Sequence, residues 1–233
     1  MLRLITLDVN NTLLRVRGSV GQLYSKTAKD YGYSFDTNTL ESEFHKAYKK
    51  YYKKYPNFGA RDNVGTKYFW HQIVRSTFTN SGCKDDAVIS QIASTLYSDF
   101  ALPLNWVLFE DVPLVLKHLK NKGYKMGVVS NFDERLPLIL EGLGILKYFS
   151  FVLCSTEVGV AKPCAKIFQL ALQRGGVRAT EALHIGDNVT LDYRAAKAVG
   201  MSAYLIDRFN NVKQKDGIDS GHVIQSLEAL LEL

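Results

Sequence analysis

Cysteine is scarce in this chain. Its 233 residues include three, Cys83, Cys154 and Cys164. Their spacing gives no close pair of the kind a zinc site uses, and an odd number does not complete a disulfide framework. The sequence therefore reads as that of a protein kept in a reducing compartment. Long apolar runs are missing too, as are a charged leader, an apolar leader core and a cleavage site, so we expect a soluble, cytoplasmic protein with no membrane partner. Charge of neither sign dominates. There are 29 Lys and Arg against 23 Asp and Glu, a net charge of +6. That balance suits an anionic ligand but falls well short of a polybasic binder, and no nucleic-acid partner is expected. With 46% hydrophobic and 22% charged residues, the composition is that of a folded protein and excludes a disordered one. Internal repeats and low-complexity tracts are also lacking.

What the chain does have is an organised start, Arg3-Leu-Ile-Thr-Leu-Asp8-Val-Asn10-Asn11-Thr12-Leu-Leu14. Leu4 to Leu7 has the length and residue types of a buried strand, and Asn10-Asn11 is turn chemistry that accepts left-handed backbone. Asp8 then stands at the C-terminal edge of a strand, where open parallel sheets bind ligands. An Asp that only caps a turn would give the same local pattern.

After Leu14 the pattern turns helical for nearly ninety residues. Val20 to Tyr31, Asn38 to Tyr55, Thr66 to Thr79 and Asp85 to Phe100 carry apolar residues three and four apart, with Gly, Pro and Ser/Asn breaks between them. Asn38, with Glu41 three residues on, fits a helix start. The next strand expected is Tyr124 to Val129, a separation far longer than a crossover helix needs, so a helical domain is inserted. From Asp111 the rhythm alternates. Helices are expected over Val112 to Lys122, Glu134 to Leu143, Ala165 to Arg174, Leu191 to Val199 and Val223 to Leu233. Strands are expected at Phe151 to Leu153, Ala182 to Ile185 and Ala203 to Ile206. The fold class is α/β, a doubly wound parallel sheet with helices on both faces. The core domain is 1–14 with 103–233, and the helical domain is 15–102.

Polar residues recur where these strands end. Ser130-Asn131 follows Val129, Lys162-Pro163 lies in the loop after Leu153, and Asp187-Asn188 with Asp192 follows Ile185-Gly186. Singly, each has a local explanation as a cap, a loop charge or a turn former. Together they gather three carboxylates, a hydroxyl and an ammonium on one sheet edge, and like charges there call for a cation. Carboxylates are hard ligands for Mg²⁺, a further carboxylate can attack phosphorus, and Lys162 and Ser130 can hold the equatorial oxygens of a phosphoryl group.

Asp8-Val-Asn10-Asn11-Thr12-Leu13, Ser130-Asn131, Lys162-Pro163 with Ile167-Phe168, and Gly186-Asp187-Asn188 through Asp192 resemble, in order and spacing, the four motifs of the haloacid dehalogenase-like hydrolase superfamily. The resemblance spans the whole chain and implies a Rossmann-like core whose inserted all-helical cap closes over the site and selects substrate. It implies a Mg-dependent phosphatase working through an aspartyl-phosphate on a small phosphorylated substrate. Asp8 would be nucleophile and metal ligand, the Asn10 backbone carbonyl a second ligand, and Asp187 and Asp192 the acids that complete the Mg²⁺ site. Thr12, Ser130, Asn131 and Lys162 would bind phosphate, with Ser130, Lys162 and Asn10 counted with Asp8 in the catalytic set. The resemblance leaves monomer and homodimer both open.

One position departs from the family pattern. Where family phosphatases carry an Asp two residues after the nucleophile, to protonate the leaving oxygen and activate water, this chain has Asn10. An amide cannot shuttle a proton, and losing that help costs about two to four orders of magnitude. Asn11 replaces the usual Gly. A non-catalytic relative that binds a phosphorylated ligand or a protein partner is therefore a second reading. Metal-free dehalogenase chemistry is a third, against which the extra carboxylate Asp187 argues. Phe44, Tyr48, Tyr51, Tyr52 and Tyr55, interleaved with lysines, recur at three and four and are expected to form a packed helix face. His184 is expected to be a buried, hydrogen-bonded residue, and Trp70 and Trp106 are expected to pack.

Overall fold

Leu4–Leu7 is buried at all four positions, as a strand covered on both faces must be. In the computed structural model, which describes residues 1–60, 62, 64–211 and 217–233, it forms β1. The chain divides into two units, one made of Met1–Arg15 with Val107–Leu233 and the other of Val16–Trp106.

Among the described residues the further strands are β2 (Leu14–Val16), β3 (Trp106–Leu108), β4 (Lys125–Ser130), β5 (Phe151–Cys154), β6 (Ala182–Gly186), β7 (Ser202–Ile206) and β8 (Val223–Ile224). Six of them form one sheet in the order β5-β4-β1-β6-β7-β8, while β2 and β3 pair separately. β1 runs parallel to both neighbours, with Leu7 opposite Val128 of β4 and Ile185 of β6. The remaining pairings are parallel as well, so all six C-terminal ends lie on one edge. Strand order reverses at β1, which makes its end the switch point where such sheets open a crevice. Leu4, Val129, Leu153, Ile167, Phe168 and Leu205 belong to a continuous buried core of this unit. Burial of that kind stabilises a fold by roughly 25 cal/mol per Å² of apolar surface removed from water.

The second unit holds α1 (Val20–Asp30), α2 (Thr37–Lys54), α3 (Thr66–Asn80) and α4 (Asp86–Asp99). Each polar start has a mechanism. Ser19 and Gln22 form a capping box, and the carboxylates of Asp36 and Asp85 accept from the N–H groups of Thr39 and Val88. The apolar stripes pack Tyr24, Leu40, Phe78 and Ile92 in one cluster and Ala47, Phe58, Phe69 and Ile73 in another. Tyr48, Tyr51, Tyr52, Tyr55 and Trp70 lie against the second, while Lys46, Lys49, Lys50, Lys53 and Lys54 are exposed. No helix among the described residues is long and apolar enough to cross a membrane.

Some elements differ from the sequence expectation. β2 and β3 were not anticipated, because three residues carry no readable period. The cap of α2 is Asp36, not Asn38, since the helix begins a turn earlier than the first strong apolar repeat. The expected helix Glu134 to Leu143 starts at Leu136, after Asp133 accepts from the N–H of Arg135 in a turn. Leu191 to Val199 is a wider π turn, Val189–Arg194, followed by the short α-helix Ala195–Ala198. The closing helix is replaced by β8, which extends the sheet beyond β7, and by a 3₁₀ stretch at Leu227–Glu232. There Val223 and Ile224 gain ladder partners, and Ser226 caps the 3₁₀ stretch by accepting from the N–H of Glu228.

Candidate active site

Asp8 is the first residue past β1, and its N–H still donates to Ile185 O of β6 at 2.9 Å. Beyond it the chain turns at once. The carbonyl of Val9 accepts from Thr12, Leu13 and Leu14, and Asn11 adopts φ 56°, the left-handed geometry that Asn tolerates better than most residues. Asn10 stands exposed on this loop and bridges to Leu14.

The Oδ1 of Asp8 accepts from Ser130 Oγ at 2.9 Å and from Lys162 Nζ at 2.6 Å. Ser130 is the last residue of β4, so the sheet itself sets that contact. Lys162 comes from the loop beyond β5 and is held there by Asn131. The amide oxygen of Asn131 accepts from Lys162 N at 2.7 Å, and its Nδ2 donates to Lys162 O at 3.0 Å. Asn131 thus grips the backbone of the lysine loop. The ammonium of Lys162 also donates to Asp192 Oδ1 at 2.5 Å.

Asp192 lies one turn after β6. Its Oδ2 accepts from the N–H of Asn188, and its Oδ1 accepts from His184 Nε2 at 3.1 Å. Gly186 explains how it fits. A side chain at that position would collide with the Asp192 carboxylate, so glycine is what lets the acid lie against the strand. Asp187 is half-buried, and its Oδ2 accepts from Asn11 Nδ2 at 3.2 Å. One ligand oxygen each from Asp8, Asp187 and Asp192 can be chosen so that all lie within 4.8 Å of one another.

The electrostatics follow from that crowding. Burial, then the negative charges of Asp8 and Asp192, push the Asp187 carboxyl up to about 7. Burial also raises Asp8 above its ordinary value, though the nearby ammonium of Lys162 opposes it. Asp192 is equally buried, but Lys162 and His184 outweigh desolvation and hold it well below the usual carboxylate range. For Lys162, burial works against the charge, and Asp192 and Asp8 overcome it, so the ammonium is reinforced. Two of the three carboxylates, Asp8 and Asp192, pair with the one ammonium, and with all three ionised the cluster carries an excess of two negative charges that a divalent cation would cancel. Hard oxygen donors at this spacing fit Mg²⁺.

The sequence-derived residues therefore converge unevenly. Asp8, Ser130, Lys162, Asp187 and Asp192 come together, and Asn131 serves the lysine loop. Thr12 is fully buried with an unpartnered hydroxyl, while its carbonyl accepts from Arg208 Nε and Nη2 at 3.1 and 2.8 Å. Arg208 and Thr6, the hydrogen-bond partner of His184, were not foreseen; a single Arg after a strand and a Thr inside one give no signal. Beside Asp187 opens a cavity of about 340 Å³, lined in part by Asn11, Asn188, Thr190, Arg208 and Phe209.

Residues 2–200 match the family model described as haloacid dehalogenase-like hydrolase. The chain is 39% identical over 228 residues to the Danio rerio protein named Haloacid dehalogenase-like hydrolase domain-containing protein 3, covering 98% of this chain and 94% of that one. Among solved structures it resembles a 2-haloacid dehalogenase from Pseudomonas syringae pv. Tomato, with 22% identity, a TM-score of 0.71 and coverage of 100% of this chain and 97% of that one. It also resembles a phosphatase of this family from Thermococcus onnurineus, with 23% identity, a TM-score of 0.65 and coverage of 99% and 97%. Those two likenesses show the fold and do not choose between the two chemistries.

Proposed function

The chain belongs to the haloacid dehalogenase-like hydrolase family, and from that premise we propose that it is a Mg²⁺-dependent phosphatase acting through an aspartyl-phosphate on Asp8. The observation that carries this reading is the undercompensated acid cluster. Asp187, raised to about 7 beside Asp8 and Asp192, has a reason to be there if a cation is bound, and metal-free dehalogenase chemistry supplies none. Asp8, Asp187 and Asp192 through carboxylates and Asn10 through its backbone carbonyl would hold Mg²⁺, which when bound supplies positive charge to the phosphoryl oxygens.

The rest is done by the chain. Ser130 and Lys162 fix the Asp8 carboxylate through Oδ1, leaving it one way to meet phosphorus. As Asp8 forms its bond to phosphorus, the bond to the leaving oxygen breaks, and the hydroxyl and ammonium take up the phosphoryl oxygens. Water then attacks the aspartyl-phosphate, releasing phosphate and restoring Asp8. Both halves need a proton moved, and Asn10 cannot move it. Turnover is therefore slow and favours esters whose leaving oxygen departs without protonation. The cavity beside Asp187 suits a small substrate, and the helical unit is assigned the part of substrate selection.

Asn10 also favours a second reading, a non-catalytic relative that keeps the phosphate and metal sites for binding. Release of inorganic phosphate from a panel of alkyl, aryl and acyl phosphates, with and without Mg²⁺, separates the two. The phosphatase reading expects Mg²⁺-dependent release that is fastest for aryl and acyl phosphates. Calorimetric Mg²⁺ and phosphate binding without release from any of them would give the lead to the binding reading.

A further inference from the structure

His184 sits in the middle of β6, fully buried, with both ring nitrogens engaged. Nε2 lies 3.1 Å from Asp192 Oδ1, and Nδ1 lies 2.9 Å from the hydroxyl of Thr6, its register partner on β1. The ring is set edge-on to Phe168 at 5.0 Å between centroids. An ionised carboxylate can only accept, so the proton of that contact is on Nε2. In the neutral ring, Nδ1 is then an acceptor, and the Thr6 hydroxyl, which also lies 3.4 Å from Leu183 O, gives its proton to the nearer Nδ1. His184 and Gly186 point to the same face of the strand. One supplies a donor to Asp192 and the other supplies the room for it.

We propose that His184 is a positioning residue, which fills one acceptor site on Asp192 Oδ1 and so fixes how that carboxylate is shared between Lys162 and the cation. The proposal deepens the phosphatase reading and rests on it where it concerns Mg²⁺. Each carboxylate oxygen accepts about two hydrogen bonds. Oδ1 spends both on Lys162 and His184, and Oδ2 spends one on Asn188 N. The remaining acceptor site belongs to Oδ2, so Asp192 offers the cation a single oxygen. Without His184, Oδ1 has an empty acceptor site in a buried place, and the carboxylate can turn to compete for Lys162. The chain Thr6, His184, Asp192, Lys162, Asp8 runs unbroken from the interior of the sheet to the nucleophile, so a change at its buried end reaches the reacting group. Partners behind metal ligands commonly matter by about ten- to hundred-fold in metal affinity.

Three variants separate positioning from packing. His184→Gln places an amide N–H near the position of Nε2 and keeps the donor to Asp192. His184→Asn reaches no further than Nδ1, keeping Thr6 and losing Asp192. His184→Phe keeps the ring against Phe168 and loses both. Mg²⁺ affinity by calorimetry is expected to fall about ten- to hundred-fold in the Asn and Phe variants and to stay within about three-fold of wild type in the Gln variant. In metal-free, ¹⁵N-lysine-labelled protein, the Lys162 Nζ protons should exchange slowly in wild type and the Gln variant and rapidly in the Asn variant. Equal loss in Gln and Asn, or no loss in Asn, overturns the proposal, and this pair decides even if the Phe variant does not fold. A wild type that neither binds Mg²⁺ nor releases phosphate defeats the phosphatase reading instead, while the lysine signal still scores His184.

Discussion

Two buried acid sites in the same unit were built to opposite ends. Asp111 accepts at Oδ2 from Ser226 Oγ at 2.8 Å and from Leu227 N at 2.6 Å, and Arg208 Nη2 lies 3.1 Å from its Oδ1. That guanidinium also stacks 4.0 Å over the ring of Phe109. Burial works against the charge of Asp111, but Arg208, Ser226 and Leu227 outweigh it, and the carboxyl is lowered. Asp187 has an amide for a partner and two like charges for neighbours, and is raised. Compensation at Asp111 ties chain segments together, whereas around Asp187 the acids outnumber the ammonium that Lys162 supplies. Asp111 is held low by partners of its own, whereas in the cluster only Asp192 is held low, by Lys162 and His184, and the acids beside it are raised, which is the pattern of a site.

The two acid sites differ most in what the loss of Asp8 does. Asp8→Asn should lower Mg²⁺-dependent phosphate release by about a thousand-fold or more, because no nucleophile remains. It should not lower the metal-free Tm, since it removes a charge that burial already disfavours. Thermal melts beside the phosphate assay check both halves. A Tm loss as large as that of an Asp111 variant would mean that the two acid sites do the same work.

Asp111→Asn is the converse test. It leaves Arg208 buried without its charge partner, at a cost of about 3 kcal/mol in a denaturant titration, with phosphate release per folded molecule unchanged. The effect has a pH signature. Because the folded value of Asp111 is depressed, its contribution is present above the unfolded value, near 3.9, and is lost as pH falls through the folded one. The stability gap between wild type and variant should therefore be constant near neutrality and shrink below about pH 4. A gap that widens on acidification would reverse the sign assigned to this pair.

Much of the site was legible because its signals are local. A four-residue apolar strand, an Asp and a turn dipeptide sit side by side at Leu4 to Asn11. Ser130 ends one strand and Lys162 and Asp187 follow others, each strand announced by its own residues, and parallel order brings the three to one edge. What sequence could not show depends on partners far along the chain. His184 reads as a buried ring, but that its acceptor is Asp192 depends on the π turn folding back over Gly186. Arg208 reads as a charge after a strand, yet it clamps the carbonyl of Thr12, 196 residues earlier. At the C-terminus Val223, Leu227, Leu230 and Leu231 have helical spacing, and the open edge of β7 overrode it by offering Val223 and Ile224 a ladder. Short strands lose the competition for the eye in the same way. Leu14–Val16 and Trp106–Leu108 are strands only because each has the other.

The smallest expected effect separates fold from chemistry within the site itself. Asn10 lies on the exposed side of the loop that Val9 O and the left-handed Asn11 hold in place. A carboxylate there meets solvent and needs no repacking. If Asp8 is a competent nucleophile and proton transfer alone is missing, Asn10→Asp should raise Mg²⁺-dependent turnover of alkyl phosphates by roughly ten-fold or more. Aryl and acyl phosphates should gain less in the transfer step, because their leaving oxygens need no proton. The added charge joins Asp8, Asp187 and Asp192, so the metal-free Tm should fall slightly and Mg²⁺ should restore it. The measurement is a set of kcat values across leaving groups of graded basicity, for wild type and variant, with Tm taken at each Mg²⁺ concentration. Equal slopes against leaving-group basicity, with no gain on any ester from a folded and metal-bound variant, would show that proton transfer does not limit this protein. The binding reading would then replace the phosphatase.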